Sequence, residues 1–213
     1  LYNKANESRN PGAAPLYSDL AIERTEQHIN PYLYPDVDWR KELYGNLAMR
    51  QRANLSVSGG GAKVKYYMSI DARHENGLQK TDKVNSWDNN LKIYNYTFQN
   101  NISYKLTSST NLSLNINAQV RQKSSPSVGA SAGFAYVSSS NPVEFPVYYP
   151  EGPDGEVRYG SKLASGQPML NPKAAFNQSF YQENLSAVNS VLKVDQDLGF
   201  ITKGLKLNAW VNW

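Results

Sequence analysis

The pentapeptide "GASAG", Gly129 to Gly133, has the spacing of a nucleophile elbow. That motif needs a buried strand before it, a helix after it and a histidine to take the serine proton. The preceding "QKSSPSV" is too polar for a buried strand, and neither His28 nor His74 has a recognisable partner. Hydrolase chemistry is therefore not expected. "GGGAK", residues 59–63, is glycine-rich but lacks the spacing and the following Ser or Thr of a phosphate-binding loop. It reads as a hairpin turn that tolerates positive φ. Asp36 with Asp38, and Asp195 with Asp197, place carboxylates at i and i+2. A calcium cage needs six to eight oxygens, so two carboxylates are too few. The first pair reads as polar loop and the second, beside Lys193, as a water-facing wall. With no cysteine and two histidines, neither a thiolate nor a multi-histidine metal site is expected. The chain offers no catalytic residue and calls for no cofactor.

Aromatic side chains in the irregular segments are the better candidates. Trp39, Trp87, Tyr148, Tyr149 and Tyr159 fall outside the regular alternation. Exposed rings can stack on sugar rings or peptide groups, and connecting segments carry function more often than scaffolds do. These five are the expected substrate contacts. The competing expectation is that they pack the loops together or against a partner.

The elements that would position them follow from the hydropathy pattern. In "AKVKYYMSIDAR", Val64, Tyr66, Met68, Ile70 and Ala72 are apolar, while Lys63, Lys65, Ser69, Asp71 and Arg73 are polar. Only Tyr67 breaks the polar set. Period-two alternation is a strand with one oily and one wet face. Five more segments repeat it: residues 47–58, 91–106, 111–121, 185–199 and 205–213. Leu112, Leu114 and Ile116 line the oily face of the fourth. The connections run short, long, short, long, short. The longest, 122–184, is rich in Pro, Gly and Ser, with a helical turn expected at 132–137 and a hairpin around "YYPEGPDGEVRY". Loops of about 60 residues are uncommon in compact domains but ordinary outside a membrane barrel. Eleven residues at roughly 3.3 Å each, tilted by about 45°, span about 25 Å, the height of an outer-membrane apolar band.

Composition narrows the class further. Charged residues make up 19% and the net charge is +4, with no basic block, so nucleic acid is not an expected partner. No window of about 20 apolar residues exists for a membrane helix. The longest uncharged run, 124–143, is mostly Ser, Gly and Ala around Pro126. A mean hydropathy of −0.60 says little here, because alternating strands hide their apolar half. The expected fold is all-β: an antiparallel up-and-down transmembrane β-barrel with long extracellular loops, of which this chain holds about six strands. Val64, Tyr66, Met68, Ile70, Leu112, Leu114 and Ile116 are then expected to face lipid, and aromatics at strand ends to form girdles.

Particular stretches sharpen this. "PYLYPDVDW" followed by "RQRANLSVSGGGAKVKYYMSIDARHENG" resembles the SusC/RagA family of TonB-dependent outer-membrane transporters. In that family a Tyr-Pro-Asn/Asp-x-Asp-Trp segment precedes a strand of the type x-N-L-S-V-S-G-G, then one of the type V-x-Y-Y-x-S. "SYKLTSSTNLSLNINAQV", "NPVEFPVYYPEGPDG" and "LGFITKGLKLNAWVNW" are similar more loosely. The resemblance implies a bacterial outer-membrane barrel of 22 strands with a plug. It also implies a SusD-like surface lipoprotein as partner, and import of glycans or peptides with energy delivered through TonB. The plug, the TonB-contacting segment and most strands have no counterpart in these residues, and both chain ends read as cuts in a longer protein. Segments 1–46 and 122–184 are then extracellular loops, the first with short helical pieces, and 47–121 and 185–213 carry four and two barrel strands. Two other readings stay open: a secreted β-rich carbohydrate-binding or adhesion module, and a passive porin.

Overall fold

The computed structural model describes residues 1–81 and 84–213. The long connection expected after the second strand includes 82 and 83, which lie outside the described residues. Among those described, the chain is all-β in character, mostly antiparallel, with short helices between strands. It forms two compact units.

One unit, residues 46–78, 90–125 and 181–213, is a sheet. Its strands are β1 (Arg50–Gly60), β2 (Val64–Asn76), β3 (Lys92–Lys105) and β4 (Thr110–Pro126), followed after the long connection by β9 (Phe180–Asp197) and β10 (Lys206–Asn212). The spatial order equals the chain order, β1-β2-β3-β4-β9-β10. The sheet is open, with no closed barrel among the described residues.

Register converts the alternation into two faces. Ile70 lies opposite Leu55 and Phe98, Tyr66 opposite Gly59 and Ile102, and Ile102 opposite Leu114. The apolar residues thus form continuous rows across β1 to β4. Val64, Tyr66, Met68 and Ile70 remain 38, 39, 37 and 52% exposed, so no second layer of the described chain covers them. Leu112, Leu114 and Ile116 share the face and are half-buried by their neighbours. Asn100 interrupts it, buried between Met68 and Ile116, with no partner for its Oδ1.

The other face is wet. Arg52 Nε donates to Asp71 Oδ2 at 2.7 Å, Arg50 pairs with Glu75 at 3.0 Å, and Gln119 Nε2 donates to Asn95 Oδ1 at 3.0 Å. Lys193 sits 2.8 Å from Asp195, and Asp197 Oδ1 accepts from the Gly199 N–H at 2.8 Å. Those two carboxylates are thus used by the sheet and its turn.

The glycine run is strand for two of its three residues. Gly59 and Gly60 belong to β1, and none of Gly59, Gly60 and Gly61 has positive φ; Gly12, Gly155, Gly166 and Gly204 do. Gly60 is needed for another reason: a Cβ there would fall 2.5 Å from the Val64 carbonyl oxygen and 2.9 Å from Lys65 Cα, backbone atoms that cannot step aside. Strand ends also move. β4 runs to Pro126 and β9 starts at Phe180, so the irregular connection is shorter than 122–184.

The second unit comprises residues 1–45, 79–89 and 126–180. It holds helices α1 (Tyr2–Arg9), α2 (Asp19–Glu26), α3 (Trp39–Leu43), α4 (Ala130–Ser139) and α5 (Pro172–Asn177). Two small antiparallel pairs join them: β5 (Tyr148–Tyr149) with β6 (Arg158–Tyr159), and β7 (Leu163–Ala164) with β8 (Gln167–Pro168). Caps define the helices. Ser18 Oγ accepts from Ala21 N–H at 3.2 Å, Asp38 Oδ1 from Lys41 N–H at 2.9 Å, and Asn171 Oδ1 from Lys173 N–H at 2.9 Å. Asp38 is therefore a cap. Asn171 also sends its amide to Val147 O and Gly160 O at 3.0 and 2.9 Å, locking α5 to the β5–β6 arm.

This unit has its own core of Trp39, Leu43, Phe145 and Phe176. Trp39 and Phe145 meet at 5.5 Å between ring centroids. The "GASAG" serine, Ser131, is exposed on the first turn of α4, not at a strand-to-helix elbow. Gly133 of the same motif abuts the outer end of the Phe176 ring, where a Cβ would collide with Cζ.

Candidate functional site

A cleft of about 570 Å³ opens within the helical unit, inside the range of about 300–1,000 Å³ typical of ligand sites. The N-terminal segment, α2, residues 32–34, 143–144, Tyr149 and 161–162 form its walls. Five tyrosines line it: Tyr2, Tyr17, Tyr32, Tyr34 and Tyr149.

The rings are fixed in different ways. Tyr34 lies beneath the Arg24 guanidinium, 5.4 Å from the ring centroid, and its hydroxyl accepts from Arg24 Nη1 at 2.9 Å. Tyr2 meets Tyr17 edge-on at 6.0 Å. Asn3 clamps the backbone of Tyr17: its Nδ2 donates to Tyr17 O at 2.7 Å and its Oδ1 accepts from Tyr17 N–H at 2.9 Å. Tyr32 and Tyr149 stand 6.4 Å apart, tilted by 30°, and stay open to solvent.

A charged cluster closes one end. Glu144 Oε2 accepts from Lys162 Nζ at 2.5 Å. Glu144 Oε1 accepts from the Tyr17 hydroxyl at 3.0 Å and Asn141 Nδ2 at 3.4 Å, while Asn141 Nδ2 also donates to the Tyr17 oxygen at 2.8 Å. The Lys162 hydrogen bond holds the Glu144 carboxyl below its ordinary range, against the opposing effect of burial. The same bond raises the Lys162 ammonium. Burial, then the Glu144 carboxylate, raises the Tyr17 phenol, with the Asn141 hydrogen bond acting in the opposite direction. At neutral pH the cluster is carboxylate, ammonium and neutral phenol. It holds charge in place and offers no nucleophile poised beside a base.

Of the five aromatics expected to meet substrate, Tyr149 alone lines this cleft. Trp39 is 3% exposed and belongs to the core, which removes it from any surface contact. Trp87 leans on Phe180 at 5.2 Å. Tyr148 and Tyr159 pair with each other at 5.3 Å, and the Tyr159 hydroxyl accepts from Asn177 Nδ2 at 3.0 Å. Those four rings pack the unit. Tyr2, Tyr17, Tyr32, Tyr34, Glu144 and Lys162 were not singled out by sequence. The "PYLY" density of tyrosine was the available signal, but Tyr17 meets Glu144 across 127 residues of chain.

Comparison with solved structures identifies the fold. The structure of the RagAB peptide transporter superposes with a TM-score of 0.56 over 84% of this chain, at 18% sequence identity. The matched chain is far longer: this one covers 18% of it. The likeness is one of fold. No family profile matches the sequence, and no curated protein matches it.

Proposed function

We propose that this chain is a barrel segment, with its attached loops, of a TonB-dependent outer-membrane transporter of the SusC type. The single observation that carries the reading is the one-layer sheet. Six strands in up-and-down order present apolar rows, traced across β1 to β4, that nothing in the described chain covers, and the edge strands β1 and β10 have free outer edges. In water such a surface associates or aggregates. In a bilayer, hydrocarbon covers the rows and neighbouring strands pair the edges. The fold shared with a segment of the RagAB peptide transporter supports the same reading.

In this reading the full barrel has 22 strands around a plug. The helical unit lies on the extracellular side, contacts a SusD-like surface lipoprotein and meets glycan or peptide cargo. TonB acts through segments outside these residues. The chain has no catalytic task. Membrane fractionation of the full-length protein in its native cells tests this. Recovery in the outer membrane with heat-modifiable mobility is the expected result; recovery as a soluble secreted protein overturns it and restores the carbohydrate-binding or adhesion module.

A further inference from the structure

We propose that the wet face of β1 to β4, at the end away from the β1–β2 turn, is a binding site for the carboxylates of an acidic solute, centred on Arg73. The proposal stands on the wet face itself and does not depend on what covers the opposite, apolar one.

Register gathers charge that is scattered along the sequence. Arg52 lies opposite Arg73, Arg73 opposite Asn95, and Asn95 opposite Arg121, one row across four strands. The next row on the same face sets Arg50 and Lys123 on either side of Glu75 and Ile93. β1, β3 and β4 contain no Asp or Glu, so Asp71 and Glu75 of β2 are the carboxylates these four strands supply. Even with Glu183, which β9 brings to Arg121, five cations stand against three carboxylates. The rest of the face is balanced: on β9 and β10, Lys193 and Lys206 match Asp195 and Asp197.

Within this surplus one cation is left over. Like charges directly opposite each other destabilise a sheet. Arg52 is relieved by Asp71 at 2.7 Å and Arg50 by Glu75 at 3.0 Å. Half-buried Arg73 forms no ion pair among the described residues, and its Nε is buried without a hydrogen-bond partner. Arg121 meets Glu183 only at 3.9 Å. Between the two, Asn95 Oδ1 already accepts from Gln119 Nε2 at 3.0 Å, so the Asn95 amide has N–H groups to offer and its acceptor is engaged. The stretch Arg73–Asn95–Arg121 therefore presents donors and positive charge over two strand spacings, roughly 10 Å.

That arrangement selects anions. A guanidinium fork takes both oxygens of a planar carboxylate, and charge-assisted hydrogen bonds are about twice as strong as neutral ones. A neutral solute leaves Arg73 opposite Arg52 with its charge unrelieved, and a cation adds to the repulsion.

Isothermal titration calorimetry on the full-length protein in detergent at low salt tests this. The probes are trigalacturonate and a blocked triaspartate peptide, each compared with its uncharged twin, the methyl-esterified trisaccharide and the triasparagine peptide. An acidic probe is expected to bind about tenfold or more tighter than its twin. Which of the two does so tells whether the carboxylates arrive on a sugar or on a peptide. Arg73→Gln should weaken that binding by about tenfold and Arg121→Gln severalfold. Arg73→Lys keeps the charge without the fork and should fall between parent and Arg73→Gln. Lys206→Gln removes the same charge on β10, elsewhere on the face, and should change binding by less than about twofold. Arg73 has no ion pair to lose, so Arg73→Gln should melt with the parent. If it does not, Arg121→Gln, whose side chain is 39% exposed, reads the same site. Equal binding of acidic probes and neutral twins overturns the proposal, as does failure of both acidic probes to bind. A loss in Lys206→Gln as large as in Arg73→Gln also overturns it, because that marks a diffuse field and not a site. The two readings fail separately: an outer-membrane protein that ignores the acidic probes overturns this one alone, and a soluble protein that binds them through Arg73 supports this one while ending the transport reading.

Discussion

Ile70→Lys is the substitution that most directly separates lipid from water as the cover of the apolar rows. Ile70 is the seventh of thirteen residues in β2, its midpoint, and lies opposite Leu55 and Phe98. Under a bilayer, lysine at mid-height on the lipid face costs about 2–4 kcal/mol. That is roughly a 30- to 700-fold shift in the folding equilibrium. Under water the same change costs far less. Ile70 is 52% exposed already, so about half of the roughly 1.5–3 kcal/mol of a full burial is at stake, or about 1 kcal/mol. Ser69→Lys is the internal control, one residue along on the wet face between Ser56 and Gln99, with an expected effect within about 0.5 kcal/mol. The assay is denaturant unfolding of the full-length protein reconstituted in lipid vesicles. A difference of at least 2 kcal/mol between Ile70→Lys and Ser69→Lys is expected from the depth cost just given. A difference of about 1 kcal/mol or less would refute the membrane assignment, because that is all that loss of partial burial in water can supply.

Other expected outcomes concern single contacts. Gly133→Val drives a side chain into the Phe176 ring, which is 2% exposed and cannot yield, and should destabilise the helical unit by about 1–3 kcal/mol in thermal unfolding. Ser131→Ala, exposed on the same helix, should leave the melt unchanged. Asn171→Ala removes the α5 cap and takes the amide donor from Gly160 O, while Val147 O keeps the Gly160 N–H; a loss of about 1–3 kcal/mol is expected, seen as faster proteolysis of the β5–β6 arm. The Glu144 cluster sets a pH window. Glu144 is depressed in the folded state, so its contribution is full above the ordinary 4.5 and is lost as pH falls through the lower folded value. Lys162 and Tyr17 are raised, so theirs are present below the ordinary 10.5 and 10.0 and fade as pH rises through the higher folded values. Glu144→Gln should abolish the acid-side loss, measured as the thermal melt of this unit between about pH 6 and about pH 3. Asn100→Leu, in contrast, should stabilise the sheet by about 1 kcal/mol in vesicle unfolding, because a buried amide with an unpaired oxygen gives way to carbon between Met68 and Ile116.

The sheet was legible because its information is local. Alternation at period two fixes which residues share a face, and each short turn pins the register of the next strand. Val64, Tyr66, Met68 and Ile70 could be placed on one face from β2 alone. The two short-range features inside the long connection, a helical turn within α4 and the β5–β6 pair, were legible for the same reason: both are closed by residues close in sequence. Strand ends were not. β4 continues through Ser124 and Ser125 to Pro126, past the last apolar residue of the pattern, so alternation gave no signal there. The glycine run misled because composition alone cannot separate a glycine needed for its φ from one needed for its missing side chain. Gly60 is the second kind, and only the approach of the Val64 and Lys65 backbone across the strand pair reveals it.

The cleft lay outside that kind of reading for a physical reason. Its charged cluster joins Tyr17, Glu144 and Lys162, three segments with no shared period, and its value as a site comes from how they meet. Sequence placed Trp39 among five candidate contacts as an aromatic in an irregular segment, and the fold uses its size to fill the core against Phe145. The rule that follows is specific. In a loop unit with a core of its own, the largest aromatics are consumed by packing, since burying the most apolar area is what holds short helices and two-residue strand pairs together. Tyrosines with a polar tip are left at the rim, where one end is dry and the other wet. Tyr149 beside Tyr32, open to solvent, is therefore a sounder place to look for a ligand than Trp39 or Trp87.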